Sequence, residues 1–155
     1  MAFLNAGDTI SGQEGRAYTT IDGKYEEMFY IKTLEASIEK QKAEIKTLGH
    51  RGLQHKATGW SGTGSMTIYY VTSQFRQLML DYVKTGVDKG FEVQITNEDP
   101  TSTIGAQTVT LYNVNLNSVI MGKLDTESEA LEEELEFTFT DIDIVSPFSA
   151  PASQG

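Results

Sequence analysis

Residues 49–71 read GHRGLQHKATGWSGTGSMTIYYV, and this stretch is the most informative part of the chain. Five glycines interrupt a basic segment, the only tryptophan (Trp60) stands among them, and β-branched and aromatic residues follow at 66–71. Glycines at this density indicate sharp turns or close approach of another backbone. A single large aromatic side chain in such a loop is common at protein–protein contacts. We therefore predict a long hairpin that projects at about residues 40–65, with Trp60 buried only on assembly.

The composition is that of one globular domain. At 155 residues the chain is long enough to bury a core. Its seven Phe, seven Tyr and one Trp are too many for a disordered chain, and the absence of cysteine excludes disulfides. Residues 1–5 lack the features of a signal peptide, and no apolar run reaches a membrane-spanning length. We expect a single domain at 1–146, a flexible C-terminal tail at 147–155, and a soluble intracellular protein.

Charge is unevenly distributed along this chain of net charge −10. A protein this acidic is unlike nucleic-acid-binding proteins, because contacts with phosphate groups need clustered Lys and Arg side chains. A basic stretch carries Lys32, Lys40, Lys42, Lys46, Arg51 and Lys56. No basic residue follows Lys123, and the segment beyond it carries Asp125, Glu127, Glu129, Glu132, Glu133, Glu134, Glu136, Asp141 and Asp143.

Two interpretations of these oppositely charged segments are open. Each could be a solvated face, which is the usual role of a charge run. Segments of opposite sign also suit head-to-tail self-association, in which the basic patch of one copy meets the acidic patch of another. On that hypothesis the subunit interface contains Lys40, Lys42, Lys46, Arg51, Lys56, Trp60, Glu132, Glu134 and Glu136.

Most of the remaining chain has the pattern of β-strands. Asp22-Gly23 supplies the positive φ angles of a tight turn, so residues 16–21 and 25–34 are predicted to form a hairpin. Residues 91–96 alternate strictly between apolar and polar side chains. Further strands are predicted at 66–72, 108–114, 116–121 and 135–144.

Residues 73–86 have the spacing of one amphipathic helix. Apolar residues recur there every three or four positions, after a serine suited to capping and before a glycine. They are Phe75, Leu78, Met79, Tyr82 and Val83, between Ser73 and Gly86. One helix beside many strands predicts a mainly β fold, namely a β-sandwich or barrel with the helix packed on it.

Residues 34–48 fit two secondary structures. Alternating four- and three-residue spacing of Leu34, Ile38, Gln41, Ile45 and Leu48 favours a helix. A strand fits as well, but its apolar residues change face along the stretch, which requires a bulge or twist near 39–41.

Several segments, taken in their order along the chain, resemble the tail-tube (tail-core) proteins of PBSX-like contractile phage tails and R-type bacteriocin particles. Besides 49–71, they are NAGDTISGQEG at 5–15, EKQKAEIKTLG at 39–49, TNEDPTS at 96–102 and VIM at 119–121. The resemblance covers nearly the whole chain. It implies extended structure at 34–48 that runs into a long hairpin.

In function, the resemblance implies a structural subunit that forms six-membered rings, which stack into a hollow tube inside a contractile sheath. The implied partners are further copies of the chain, the tail sheath protein, and baseplate and tail-terminator proteins. DNA would be an unbound cargo, and the location a virion or phage-tail-like particle. No cofactor or metal is implied, and a phage, a defective prophage and a bacteriocin all fit. From the net charge we expect an acidic lumen that does not hold DNA.

Patterns that indicate catalysis are weak, and we predict that the chain is not an enzyme. The glycine-rich residues 59–64 lack the Gly-Lys-Ser/Thr ending of a phosphate-binding loop. His50 and His55, without cysteine, make a poor zinc site. Asp141 and Asp143 share a strand face, which alternation alone explains. The alternative function is a tail-completion or adaptor module that caps a tube without polymerising.

Overall fold

The structure, a computed structural model, describes residues 6–8, 15–100 and 102–149. After a 3₁₀ turn at Ala6–Asp8, these residues form eight strands and one α-helix, so the predicted mainly β fold is confirmed. The elements are β1 (Gly15–Ile21), β2 (Lys24–Glu27), β3 (Ile31–Ile45), β4 (Gln54–Tyr69), α1 (Gln74–Thr85), β5 (Phe91–Glu98), β6 (Ala106–Ser118), β7 (Glu132–Phe139) and β8 (Asp141–Ser146).

The strands form one antiparallel sheet in the order β2-β1-β5-β6-β7-β4-β3, with β8 also paired to β6. Among the described residues this sheet is open, since β2 and β3 do not pair with each other. Strand β6 belongs to two arms. Its residues 108–112 pair with β8, while Asn115–Ser118 pair with β7. We call β1, β2, β5, β8 and the first part of β6 the first arm, and β3, β4, β7 and the end of β6 the second arm.

The hydrophobic core contains side chains from the inner faces of both arms and from α1. In β7 the alternation is complete, since Glu133, Leu135, Phe137 and Phe139 are buried and the residues between them are not. Strand β5 presents Phe91 and Val93 to the same core, as its alternating sequence predicts. The buried apolar residues are Ala17, Ile21, Met28, Tyr30, Met66, Ile68, Phe75, Phe91, Val93, Leu111, Val114, Leu135, Phe137 and Phe139.

The predicted helix is confirmed as α1. Phe75 is buried in the core, and Gly86 ends the helix in the left-handed conformation (φ 74°) with its N–H bonded to Tyr82 O. Ser73 does not cap the first turn with its side chain, contrary to the prediction. Thr72 Oγ1 instead accepts a hydrogen bond from Gln74 N at 3.3 Å.

The predicted strand 25–34 is wrong in its middle, because it breaks at Met28–Tyr30. Strand β2 pairs with β1 in the first arm, whereas β3 pairs with β4 in the second. The chain crosses between the arms at the break, where Met28 and Tyr30 are buried and Phe29 is 83% exposed. Residues 28–31 are four consecutive apolar or aromatic residues, so the sequence pattern does not reveal the crossing.

Two further predicted boundaries are corrected. The strand predicted at 135–144 divides at Thr140, whose N–H donates to Tyr112 O, and continues as β8. The strands predicted at 108–114 and 116–121 are one strand, β6, which ends at Ser118.

Of the ambiguous residues 34–48, residues 34–45 are extended, as the family resemblance implies, and 46–48 lead into the turn that follows. Strand β3 is 15 residues long and β4 is 16, and they pair from Ile31–Ile68 to Ile45–Gln54. Their register shifts between Gln41 and Lys42, where Thr58 is the extra residue on β4. The predicted irregularity near 39–41 is therefore adjacent to the observed one, although the added residue lies on the other strand.

The C-terminal residues 147–149 are irregular, and Ser149 N–H donates to Ile104 O at 2.7 Å. Residues 150–155 of the predicted tail lie outside the described residues, as do 1–5 and 9–14 of the predicted domain. The tail and the domain limits stay predictions. Within the described ranges, no helix is long and apolar enough to cross a membrane.

Candidate functional site

The hairpin of β3 and β4 extends beyond the rest of the sheet. Pairing between β4 and β7 ends at Gly62 and Phe139, and β4 residues 54–61 pair with β3 alone. At about 3.3 Å per residue, this two-stranded ribbon is about 25 Å long before its turn. Every residue from 37 to 60 is exposed. The predicted projecting hairpin is therefore confirmed, and we call residues 39–61 the ribbon.

Trp60 lies at the base of the ribbon, opposite Lys40. Its ring centroid is 6.3 Å from that of Phe139, and the residue is 42% exposed. Trp60 thus contacts the edge of the core on one side while the other side faces solvent. Gly62, two residues on, has no side chain to separate β4 from the Phe139 ring.

The five cations of the ribbon and its turn do not share one face. The register puts Lys40 and Lys42 on the face that continues the core side of β3, and Lys56, opposite Ala43, on the other face. Lys46 and Arg51 follow the end of β3, around the turn. Within the described part of the chain, none of the five forms an ion pair.

Glu132, Glu134 and Glu136 point to the outer face of β7. Glu132 already has a partner in its own chain, because Lys32 Nζ lies 2.8 Å from its Oε1. This hydrogen bond and charge raise the pKa of Lys32. Glu134 and Glu136 are exposed and lie opposite Thr67 and Ser65 of β4.

The outer face that β4 and β7 share is made of hydroxyl and carboxylate groups, with one tyrosine. We call it the acidic face. Its residues are Ser61, Thr63, Ser65, Thr67 and Tyr69 of β4, and Glu132, Glu134, Glu136 and Thr138 of β7.

Glu133 differs from its acidic neighbours because it points into the core and is 2% exposed. Arg76 of α1 meets it, with Nη1 2.8 Å from Glu133 Oε2. The same guanidinium lies 4.3 Å above the Tyr70 ring and donates to Thr72 O and Ile120 O. This ion pair connects the helix to β7. The sequence did not predict this ion pair, although Glu133 lies two residues before Leu135 and four before Phe137 and therefore on the same face of the strand.

The patterns considered for catalysis remain separate in the structure. His50 lies at the turn of the hairpin, where its Nδ1 is 2.8 Å from Gly52 O. Asp141 and Asp143 are exposed on β8, opposite Tyr112 and Thr110. Among the described residues, no group of three or more His, Cys, Asp or Glu is arranged to hold a metal ion.

Comparison with known proteins gives one consistent family. The family model described as "Phage tail tube protein" matches residues 2–146. The phage-like element PBSX protein XkdM of Bacillus subtilis (strain 168) is 50% identical over 146 residues, 94% of this chain and 97% of that protein.

Two solved assemblies contain chains of the same fold. A chain in the tube-terminating cap of the anti-feeding prophage aligns with a TM-score of 0.68 at 11% identity, covering 93% of each chain. A chain in the extended sheath–tube complex of the extracellular contractile injection system PVC aligns with a TM-score of 0.67 at 11% identity. This alignment covers 88% of the present chain and 90% of the chain in the sheath–tube complex.

Proposed function

The chain belongs to the phage tail tube family, and from this premise we propose that it is the repeating subunit of a hollow tail tube built from stacked rings. Ring closure, hexameric symmetry and stacking are parts of this proposal. Its role would be structural, without catalysis, in a virion or phage-tail-like particle whose subunits are made in the host cytoplasm.

The projecting ribbon is the observation that carries the proposal. An isolated two-stranded hairpin is at best marginally stable in water, yet this one extends about 25 Å past the last contact with β7. A neighbouring subunit that covers the ribbon would stabilise it. Trp60, half covered by Phe139, would then become fully buried.

Unpaired sheet edges support assembly independently. In the described part of the chain, β2, β3 and β8 each pair along one side only. Free edges of this kind template pairing with another chain, and a ring that closes by strand pairing removes them. Strands β2 and β8 leave unpaired edges on the first arm and β3 leaves one on the second, so each arm has an edge that could pair with a neighbouring subunit.

The acidic face is our candidate for the wall of the channel; the ribbon of a neighbouring copy would border it along Glu134 and Glu136 and leave Thr63 open to the channel. The face combines hydroxyls with carboxylates, and the Lys32 ammonium that reaches it is paired with Glu132, so a polyanion such as DNA would slide past without being held. The test uses Thr63→Cys, since the chain has no native cysteine. In intact tubes, a small maleimide should label this thiol and a bulky polymer-linked maleimide should not, whereas dissociated subunits should react with both. Equal labelling by the bulky reagent in intact tubes would place the acidic face outside.

Charge complementarity is proposed to steer subunits together. Lys40, Lys42, Lys46, Arg51 and Lys56 of one copy would approach residues 125–136 of another. Exposed ion pairs contribute about 0–1 kcal/mol each, so the effect should be on rate and register. Lys40→Glu with Lys42→Glu should block assembly, and Glu134→Lys with Glu136→Lys in the partner should restore it. Normal assembly by the first variant would exclude this contact.

The proposed partners besides further copies are the tail sheath, baseplate and tail-terminator proteins. The fold also occurs in a tube-terminating cap, so a capping module is the second candidate function. Negative-stain microscopy of concentrated purified protein separates the two. Long hollow cylinders or stacked rings support the tube subunit, and monomers or single rings at every concentration support the cap.

A further inference from the structure

The ribbon ends in a turn that presents one leucine to solvent. Residues Thr47–His50 form this turn, closed by His50 N–H to Thr47 O, with Gly49 at φ 81° in its third position. Leu48, in the second position, is fully exposed. The ring of His50 holds the following residues through its contact with Gly52 O at 2.8 Å. A preformed turn therefore holds a large apolar side chain away from its own domain.

A cavity of matching size, with both apolar and polar walls, lies on the body of the domain between α1 and β6. Its volume is about 220 Å³. Its apolar walls are Leu78, Met79, Tyr82, Phe91 and Leu116. An apolar cavity of about 150 Å³ already holds a benzene molecule, so this one has room for a leucine side chain.

Polar groups at the cavity mouth complement the turn. Asp88 lines the cavity and is fixed by Asn115 Nδ2 at 2.6 Å. Asn117 lines the cavity and also a neighbouring concavity with Glu136, so the acidic face begins at the cavity border. Lys89 also lines the cavity, and its Nζ lies 3.6 Å from Asp22 Oδ1. Lys46 and Arg51 lie on either side of Leu48 in the chain, and their charges would meet the carboxylates of Asp88 and Glu136.

We propose that Leu48 of one subunit inserts into the α1–β6 cavity of another copy of this chain. Knob and cavity are on different parts of one chain, and Leu48 does not occupy its own cavity. Such a contact is heterologous, so each subunit that receives a knob offers its own to the next, and the assembly propagates. This inference rests on the proposed function and adds to it a specific contact between subunits.

Disulfide trapping tests the contact in this cysteine-free chain. Leu48→Cys and Met79→Cys subunits are mixed in equal amounts, assembled and oxidised, so that any 48–79 disulfide is intermolecular. Cα atoms must come within about 7 Å for the bond to form. We expect a covalent dimer in the mixture and none in either variant alone. The matched controls are Leu53→Cys, in the same connection between β3 and β4, and Val83→Cys, at an exposed position of α1.

A second variant avoids any change to the folded body. Leu48→Ala, at a fully exposed position, should leave monomer folding unchanged and raise the critical concentration for assembly about tenfold, whereas Leu53→Ala should change it less than twofold. Tubes that form without a 48–79 disulfide, or with equal trapping in the controls, would overturn the contact and leave the tube function standing. If wild-type protein forms no tubes and the mixture of Leu48→Cys and Met79→Cys subunits forms no disulfide, both proposals are overturned. If the disulfide forms but no tubes are seen, the contact between Leu48 and the cavity is supported and the tube-subunit function is rejected.

Discussion

Replacing Gly64 with alanine should destabilise the domain by about 3 kcal/mol, near the upper end of what overpacking costs. The new methyl carbon would lie 2.4 Å from Phe137 Cζ and 2.6 Å from the backbone oxygen of Glu35. Both distances are well inside van der Waals contact. Phe137 is fully buried, and the Glu35 carbonyl belongs to β3, which pairs with β4 at this point. To relieve both close contacts of the new methyl group, the Phe137 side chain in the core and the β3 backbone in the sheet must both move.

Two other glycines of the same strand provide graded controls. At Gly62 the three atoms nearest to the methyl would all belong to the Phe139 ring, the closest at 2.4 Å, so the close contact is with a side chain rather than with backbone, beside the half-exposed Trp60. Gly62→Ala should therefore cost about 1 kcal/mol. At Gly59 the nearest atom would be Gln41 Oε1 at 3.7 Å, an ordinary contact. Gly59→Ala should be neutral or stabilise the domain by up to about 0.5 kcal/mol, because alanine restricts the unfolded chain.

The measurement is urea unfolding followed by far-ultraviolet circular dichroism, at protein concentrations too low for assembly. Phe139→Leu should recover part of the loss in Gly62→Ala, since the three atoms nearest to the new methyl belong to this ring. Phe137→Leu should not rescue Gly64→Ala, because the carbonyl of Glu35 remains. Equal unfolding free energies for the three alanine variants would refute this reasoning.

Three further outcomes are expected. Arg76→Met leaves the Glu133 carboxylate buried without its partner and should cost about 3–5 kcal/mol in urea unfolding, most of which Glu133→Leu in the same chain should restore. Burial, aided by Glu26, raises the pKa of Tyr30 to about 12 from 10.0. The unfolded chain then loses this proton first as pH rises, so stability should fall between pH 10 and 12 and fall less in Tyr30→Phe. Trp60→Ala should weaken assembly by about 2–4 kcal/mol while changing the monomer melting temperature little, and an equal loss in both states would place Trp60 in the core.

Elements with a clear period were predictable from sequence. The three- and four-residue spacing around Phe75 fixes α1, and the alternation of Leu135, Phe137 and Phe139 fixes the inner face of β7. The hairpin turn at Asp22-Gly23 follows from two residues that accept positive φ, and both adopt it. In each case the local pattern and the tertiary packing favour the same structure.

Other features depend on which strands become neighbours, and no local pattern encodes that. At Met28–Tyr30 the chain changes arms inside an unbroken run of apolar and aromatic residues, 28–31, which has the composition of one continuous strand. Glu133 was grouped with solvated carboxylates because its partner, Arg76, lies 57 residues away. At 34–48 the apolar spacing favours a helix, yet pairing with β4 along the whole of β3 outweighs that preference.

The sharing of β6 between the arms also sets the order in which the chain becomes structured during synthesis. The turn that joins Ile45 to Gln54 is local, so β3 and β4 can pair soon after they leave the ribosome. Strand β1 can pair with β5 only later, because the partner of Tyr18 is Gln94, which is synthesised 76 residues after it. Neither arm is complete until β6 emerges, and such non-local pairing is slow. On a polysome, nascent chains with finished ribbons therefore coexist with unfinished bodies. A translational pause before residue 106 should lengthen this interval and raise the yield of off-pathway aggregates.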